Sequence, residues 1–224
     1  NFKRILKIIM KKSFLFFVCI FLSNFIFAQR EIVDGVVIDK QAQSIVNAVS
    51  KKVTADSPIL ISYTMMVKSG EKTIETQKGN LLSNGDKFRL IAQGFEDYCD
   101  GNNLWHYVKE TAEVELSTID QTNNIFNFPN VIKTYSKDFR PKLIREEEIN
   151  YVIDLVPKKS TNVSKIRIVS NKSTNRIKAM TIYVRGGNTY VINFTSYKAN
   201  QQVKATDFAF PTQTYPNAEI IDLR

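Results

Sequence analysis

Along residues 59–68, "ILISYTMMVK", apolar side chains return at every second position: Ile59, Ile61, Tyr63, Met65 and Val67. Strict alternation of this kind predicts a strand with one face buried. The pattern continues through "KTIETQKGNLLS" and "DKFRLIAQ", which are joined by Asn84-Gly85, a dipeptide suited to tight hairpins. It continues again through "FEDYC" and "NLWHYV", joined by Asp100-Gly101, and then "EVELST". From residue 140 it resumes as "PKLIREEE", "NYVIDLVP", "SKIRIVS", "RIKAMTIYVRG" and "TYVINFTSYKA", and the chain ends with "DFAFPTQTYPNAEIIDLR", which holds two prolines and a last short strand. About eleven strands with short connections predict an antiparallel meander, either a sandwich or a curved sheet approaching a barrel.

Two stretches change period. In "DKQAQSIVNAVSKKV", Ala42, Ile45, Val46, Val49 and Val53 recur at spacings of three and four, which is one apolar face of a helix. Asp39 is placed to cap it, and Asp56-Ser57-Pro58 ends it. In "NIFNFPNVIKTYSKDF", Phe128, Val131, Ile132, Tyr135 and Phe139 fall at helical spacing, with Pro129 suited to a first turn. An aromatic-faced helix in the middle of a meander must pack on a sheet face, and the mouth or interior of a curved sheet is the expected place.

The first 28 residues are of another kind. Lys3, Arg4, Lys7, Lys11 and Lys12 precede the apolar run "SFLFFVCIFLSNFIFA", with no acidic residue among them. That is the make-up of a cleaved secretory signal peptide, with the cut expected after Ala28 and an uncleaved membrane anchor as the alternative. Residues 29–224 are then expected to form a single domain. Bulky Phe17 and Val18 before Cys19 argue against lipid attachment there. With the leader removed Cys99 is the one remaining cysteine, so no intrachain disulfide is expected, and a buried role is. Five cations leave with the leader, so much of the formal net charge of +9 is targeting, and nucleic-acid binding is not expected.

Candidate chemistry is sparse. A single histidine and a single remaining cysteine exclude a multi-histidine or thiolate metal site, so neither metal nor cofactor is expected. Gly-rich phosphate loops and a G-x-S-x-G elbow are missing from the sequence. No catalytic residue is assigned, and His106, beside Trp105 in an alternating strand, reads as structural. What the chain offers in abundance is apolar and aromatic surface on sheet faces, enough for a hydrophobic ligand or for an ordinary sandwich core.

Taken in order, several elements resemble the LolA family of periplasmic lipoprotein carriers. Gly79 leads a strand that ends near Lys87-Phe88-Arg89. Asp100, Gly101, Leu104, Trp105 and Tyr107 match a D-G-K-x-L-W-x-Y element, with Asn102 in place of the lysine. Phe208, Phe210, Pro211, Pro216, Ala218, Ile220, Ile221 and Asp222 match its C-terminal pattern. The asparagine- and lysine-rich composition fits a Bacteroidetes-like member. The resemblance implies an incomplete, strongly curved antiparallel β-barrel covered by a helical lid. It implies a monomeric, non-enzymatic periplasmic carrier that takes acylated lipoproteins from an inner-membrane release transporter to an outer-membrane acceptor. Another lipid or glycolipid as cargo, a sensor on the same fold, and a secreted hydrolase remain as alternatives.

On that fold, alternation nominates a cavity lining of Ile61, Tyr63, Met65, Phe88, Leu90, Trp105, Tyr107, Ile153, Leu155, Ile182, Ile192 and Phe194, with His106 facing the other way. Phe126, Phe128 and Ile132 are the lid candidates. One departure stands out. Where the family often carries an arginine that holds the lid shut, this chain has Asn84 followed by Gly85, so closure must be held differently.

Overall fold

The computed structural model describes residues 30–33, 36–119 and 126–224. The leader expected at 1–28 lies outside them. The chain divides into two compact units, residues 1–41 and 42–224. In the first, β1 (Arg30–Val33) and β2 (Val36–Asp39) pair as an antiparallel ribbon. Helix α1 (Lys40–Asp56) leads into the second.

There the strands run β3 (Ile59–Ser69), β4 (Lys72–Asn84), β5 (Lys87–Ala92), β6 (Phe95–Cys99), β7 (Asn103–Val108) and β8 (Glu113–Thr118). Two short helices follow, α2 (Phe128–Lys133) and α3 (Tyr135–Asp138). The meander resumes with β9 (Phe139–Glu146), β10 (Asn150–Pro157), β11 (Val163–Asn171), β12 (Ile177–Val184) and β13 (Thr189–Lys198), and β14 (Glu219–Asp222) ends it. All twelve form one sheet in the order β14-β8-β7-β6-β5-β4-β3-β13-β12-β11-β10-β9. The sheet curls but does not close, since no ladder joins β14 to β9 among the described residues. Eleven of these strands are those the alternation predicts, and the twelfth is the short C-terminal strand, which joins β8 in parallel.

Two glycines meet specific demands. The β4–β5 hairpin turns at Gly85, at φ +64°, where a side chain would be strained. Gly79 lies opposite Tyr63 on β3 and Ala92 on β5, and the Tyr63 ring crosses the space where its Cβ would be. A side chain there would also approach the Ile91 carbonyl to 2.9 Å. The missing side chain lets a large ring lie flat against the sheet.

The core fills the concave side. Ile59, Ile61, Tyr63, Met65 and Val67 of β3 meet Leu81, Phe88, Leu90 and Ala92 on one flank. Ile192, Ile182, Met180, Ile168, Ile166, Ile153 and Leu155 continue the wall on the other. Ala42, Val46, Val49 and Val53, the predicted apolar stripe of α1, are all buried in the same cluster. The end of α1 is fastened by Asp56, buried, which accepts from Lys52 Nζ at 2.8 Å and Arg176 Nε at 3.0 Å. Burial pushes that carboxyl upward, but the hydrogen bonds from Lys52 and Arg176 outweigh it and leave it below its usual range.

A second, smaller cluster lies on the convex side of β6–β8. Tyr98, Tyr107 and Val114 are covered there by Phe210 of the C-terminal segment, with Trp105, Tyr215 and Ala218 at its margin. Buried Glu96 ties the segment down, accepting from Tyr98 Oη at 2.6 Å and Tyr215 Oη at 3.1 Å, with Lys109 Nζ at 3.0 Å.

Candidate functional site

Ten of the twelve nominated lining residues converge on the concave face. Ile61, Tyr63, Met65, Phe88, Leu90, Ile153, Leu155, Ile182 and Ile192 are buried in its apolar cluster, and Phe194 packs against it half-buried. The exceptions are Trp105 and Tyr107, which pack outside that cluster. On β7 the residues facing the concave cluster are Leu104 and its alternate, His106. Trp105, paired with Tyr98 and Leu116, and Tyr107, paired with Val114, face outward under the C-terminal aromatics. The physical reason is that Phe210 and Tyr215 need an apolar face of their own. Tyr107 packs close to Tyr215 (4.5 Å between ring centroids) and to Phe210 (5.6 Å).

The three lid candidates do reach the concave wall. Phe128 and Ile132 on α2 are fully buried in it. The Phe128 ring stacks on Phe194 at 5.7 Å and meets Tyr63 edge-on at 5.9 Å. Phe126 bridges Phe128 (6.3 Å) and Tyr190 (5.8 Å), both edge-on. Tyr135 of α3 donates to Asn47 Oδ1 at 2.7 Å, which binds the lid helices to α1. In this closed state the lid's own side chains thus fill the wall they cover.

What holds the lid leaves no mark in the local sequence pattern. Asn127, just before α2 and buried, accepts from Ser83 Oγ at 2.9 Å and donates from Nδ2 to the Gly85 carbonyl at 3.2 Å. Closure therefore rests on the lid's own asparagine reaching the β4–β5 hairpin, not on an arginine projecting from that hairpin. A cleft of about 360 Å³ lined by Val53, Thr54, Asn84, Pro129, Asn130 and Lys133, among others, flanks this seam. Replacing Asn127 by alanine leaves buried Ser83 without that acceptor and the Gly85 carbonyl without that donor, an expected cost of about 1–3 kcal/mol. Amide hydrogen exchange should register it as faster opening of α2 against an unchanged β11–β12 ladder. Equal protection of α2 in both proteins would contradict the latch.

His106 and Asp97 form a polar break in the concave face. His106 Nδ1 lies 2.6 Å from Asp97 Oδ1, the carboxylate side chain being 12% exposed and the imidazole 38%. The hydrogen bond to Asp97 raises the His106 pKa; burial opposes this, and the charges of Asp97 and Glu115 add to the rise. Tyr63 on the neighbouring wall is pushed up to about 12, by burial first and by the Asp97 charge second. The stability gained from a raised histidine pKa is fully present below the unfolded value of 6.5 and is lost as pH rises through the folded value. The stability gap between wild type and His106→Phe in urea should accordingly be widest below pH 6.5 and narrow above it. A gap that does not change with pH would contradict the ion pair. Cys99, buried in the same face, has its thiol pushed up to about 11, chiefly by burial, so it is an inert core residue. Among the described residues, no three His, Cys, Asp or Glu side chains converge where a metal ion could sit.

An open, curled sheet with an apolar concave face under a helical lid is the geometry the sequence resemblance implies, and comparison with known proteins decides the family. The model of the outer membrane lipoprotein carrier protein LolA matches residues 59–211, more than half of the chain. The chain belongs to the LolA family. Among solved structures, an uncharacterized conserved protein from Thermus thermophilus aligns at 12% identity with a TM-score of 0.55, covering 81% of this chain and 99% of that one. A LolA superfamily protein from Nitrosomonas europaea aligns at 15% identity and TM-score 0.45 over 75% and 97% of the two chains. A putative outer membrane lipoprotein-sorting protein domain from Vibrio parahaemolyticus aligns at 11% and 0.43 over 78% and 99%. No curated protein matches the chain. As a LolA-family member it is a protein of the lipid- or lipoprotein-binding carrier type, in a family of carrier and binding proteins.

Proposed function

We propose that this protein is a periplasmic carrier that binds the acyl chains of lipoproteins on its concave face and conveys them from inner to outer membrane. The observation that carries the proposal is a wall of ten converging apolar residues covered by a lid whose aromatic side chains stand where acyl chains would go. Phe128 and Ile132 satisfy that wall while the carrier is empty. An incoming acyl chain replaces them contact for contact, each methylene removed from water contributing about 0.8 kcal/mol. The net gain is a difference between two apolar occupants of one surface. Affinity is therefore moderate, as handover to an acceptor requires, and no energy source within the carrier is needed.

The lid's polar seam fits this cycle. Ser83, Asn127 and the Gly85 carbonyl are paired when the lid is shut and can be solvated when it lifts, so opening costs little beyond the contacts the ligand replaces. By family membership, the donor would be a transporter that releases lipoproteins from the inner membrane, and the acceptor an outer-membrane protein. Native mass spectrometry of the protein purified gently from the periplasm tests the reading. An acylated polypeptide bound one to one is the expected result. A bound lipid lacking peptide would move the cargo to free lipid or glycolipid. The unliganded mass, persisting when lipoprotein is offered, would overturn the carrier reading.

A further inference from the structure

One row across the sheet passes from apolar to polar within four strands. Leu90 on β5 pairs with Asp97 on β6, Asp97 with His106 on β7, and His106 with Glu115 on β8. Leu90 is buried in the concave cluster, whereas Glu115 is exposed. Neighbouring strands lie about 4.8 Å apart, so His106 stands roughly 10 Å from the apolar wall at Leu90. Its Nδ1 is committed to Asp97, and the Phe95 ring at 5.4 Å fixes one side of the imidazole. The imidazole is nonetheless partly open to solvent, as it would be at the edge of a site.

We propose that His106, oriented by Asp97, is a recognition point on the concave face for an uncharged ester or amide carbonyl of the acylated ligand. This rests on the carrier reading and adds the part of the ligand the apolar wall cannot distinguish. An imidazolium whose Nδ1–H is bonded to Asp97 has Nε2–H left as a donor, and a carbonyl oxygen is its natural acceptor. The surroundings select against anions. Asp97 and Glu115 both flank His106, so a phosphate or a free fatty-acid carboxylate would meet two carboxylates for one cation. Tyr63, held as the neutral phenol by burial and by Asp97, brings no charge of its own to this surface. An acyl chain lying along Leu90 and Phe88 would bring its carbonyl end toward the polar rim, where the row ends.

The test uses two lipids that differ in the carbonyls alone, a diacylglycerol and the dialkylglycerol ether of equal chain length. The expected result is diacylglycerol binding about tenfold to a hundredfold tighter than ether, the worth of one charge-assisted hydrogen bond. His106→Phe keeps the ring against Phe95 and should bring the two affinities together with ether binding little changed. Because His106 is the chain's single histidine, its ring resonances are unambiguous in the wild-type protein as well. The Nε2 signal should move with the ester and stay with the ether, a readout that needs no variant to fold. Equal binding of both lipids by wild type, with no Nε2 shift, would overturn the recognition point and leave the carrier standing. Binding of neither lipid would overturn the carrier reading and this inference with it.

Discussion

Phe128→Ala is expected to cost about 3–5 kcal/mol of stability and, at the same time, to tighten acyl-ligand binding. The first effect follows from burial: the ring is fully enclosed between Phe194, Tyr63 and Phe126. The second follows from competition. If lid and ligand share one surface, shortening the lid's main anchor lowers the free energy the ligand must replace, and leaves an apolar space that hydrocarbon can enter. Urea denaturation with and without a fluorescent acyl probe measures both quantities on one sample. Destabilisation accompanied by weaker binding would make Phe128 a contact of the bound ligand, contradicting the competition. Tighter binding with an unchanged folding midpoint would contradict the closed packing.

Asp154→Ala carries the other large effect, about 3 kcal/mol. This carboxylate on β10 is buried and accepts from Arg167 through Nε at 2.6 Å and Nη2 at 2.9 Å, and from Lys165 Nζ at 2.9 Å. Removing it leaves two cations on β11 side by side, with the Tyr183 ring beneath Lys165 at 4.7 Å. Burial pushes the Asp154 carboxyl up, yet the hydrogen bonds from Arg167 and Lys165 prevail and hold it below its ordinary value of 3.8. A depressed carboxylate contributes its full stability above the unfolded pKa and loses it as pH falls through the folded one. Wild type and variant should thus differ most at neutral pH and converge on acidification below about 4. Ligand affinity should stay the same, because the cluster lies on the side of β10 opposite Ile153 and Leu155. A stability difference that persists unchanged at low pH would contradict the ion pairing.

The strands were legible because alternation leaves a plain signature wherever one face is buried and short turns separate the runs. Ile61, Tyr63 and Met65 could be placed from that signature alone, and the α1 stripe from its own. Trp105 could not. Alternation shows that Trp105 and His106 face opposite ways, but which side is concave depends on what covers each, and both sides of β6–β8 are covered. The aromatic C-terminal segment held the clue, since Phe210 and Tyr215 required an apolar partner surface outside the concave face. The Asn127 latch was hidden for another reason. A hydrogen bond between residues 83 and 127 is a product of the fold and leaves no local spacing to read. Gly79 was visible as a glycine, but its purpose became visible only with the Tyr63 ring lying across it.

The most direct test of the central claim is to ask which face of the sheet the acyl chain touches. A lipid with a photoactivatable diazirine at mid-chain, crosslinked to the protein and mapped by peptide mass spectrometry, answers this residue by residue. Labelling on Ile61, Met65, Phe88, Leu90 or Ile192, diminished by competing unlabelled lipid, is the expected result. Competable labelling confined to Trp105, Tyr107 or the C-terminal segment would place the ligand on the convex side and contradict the concave-face carrier.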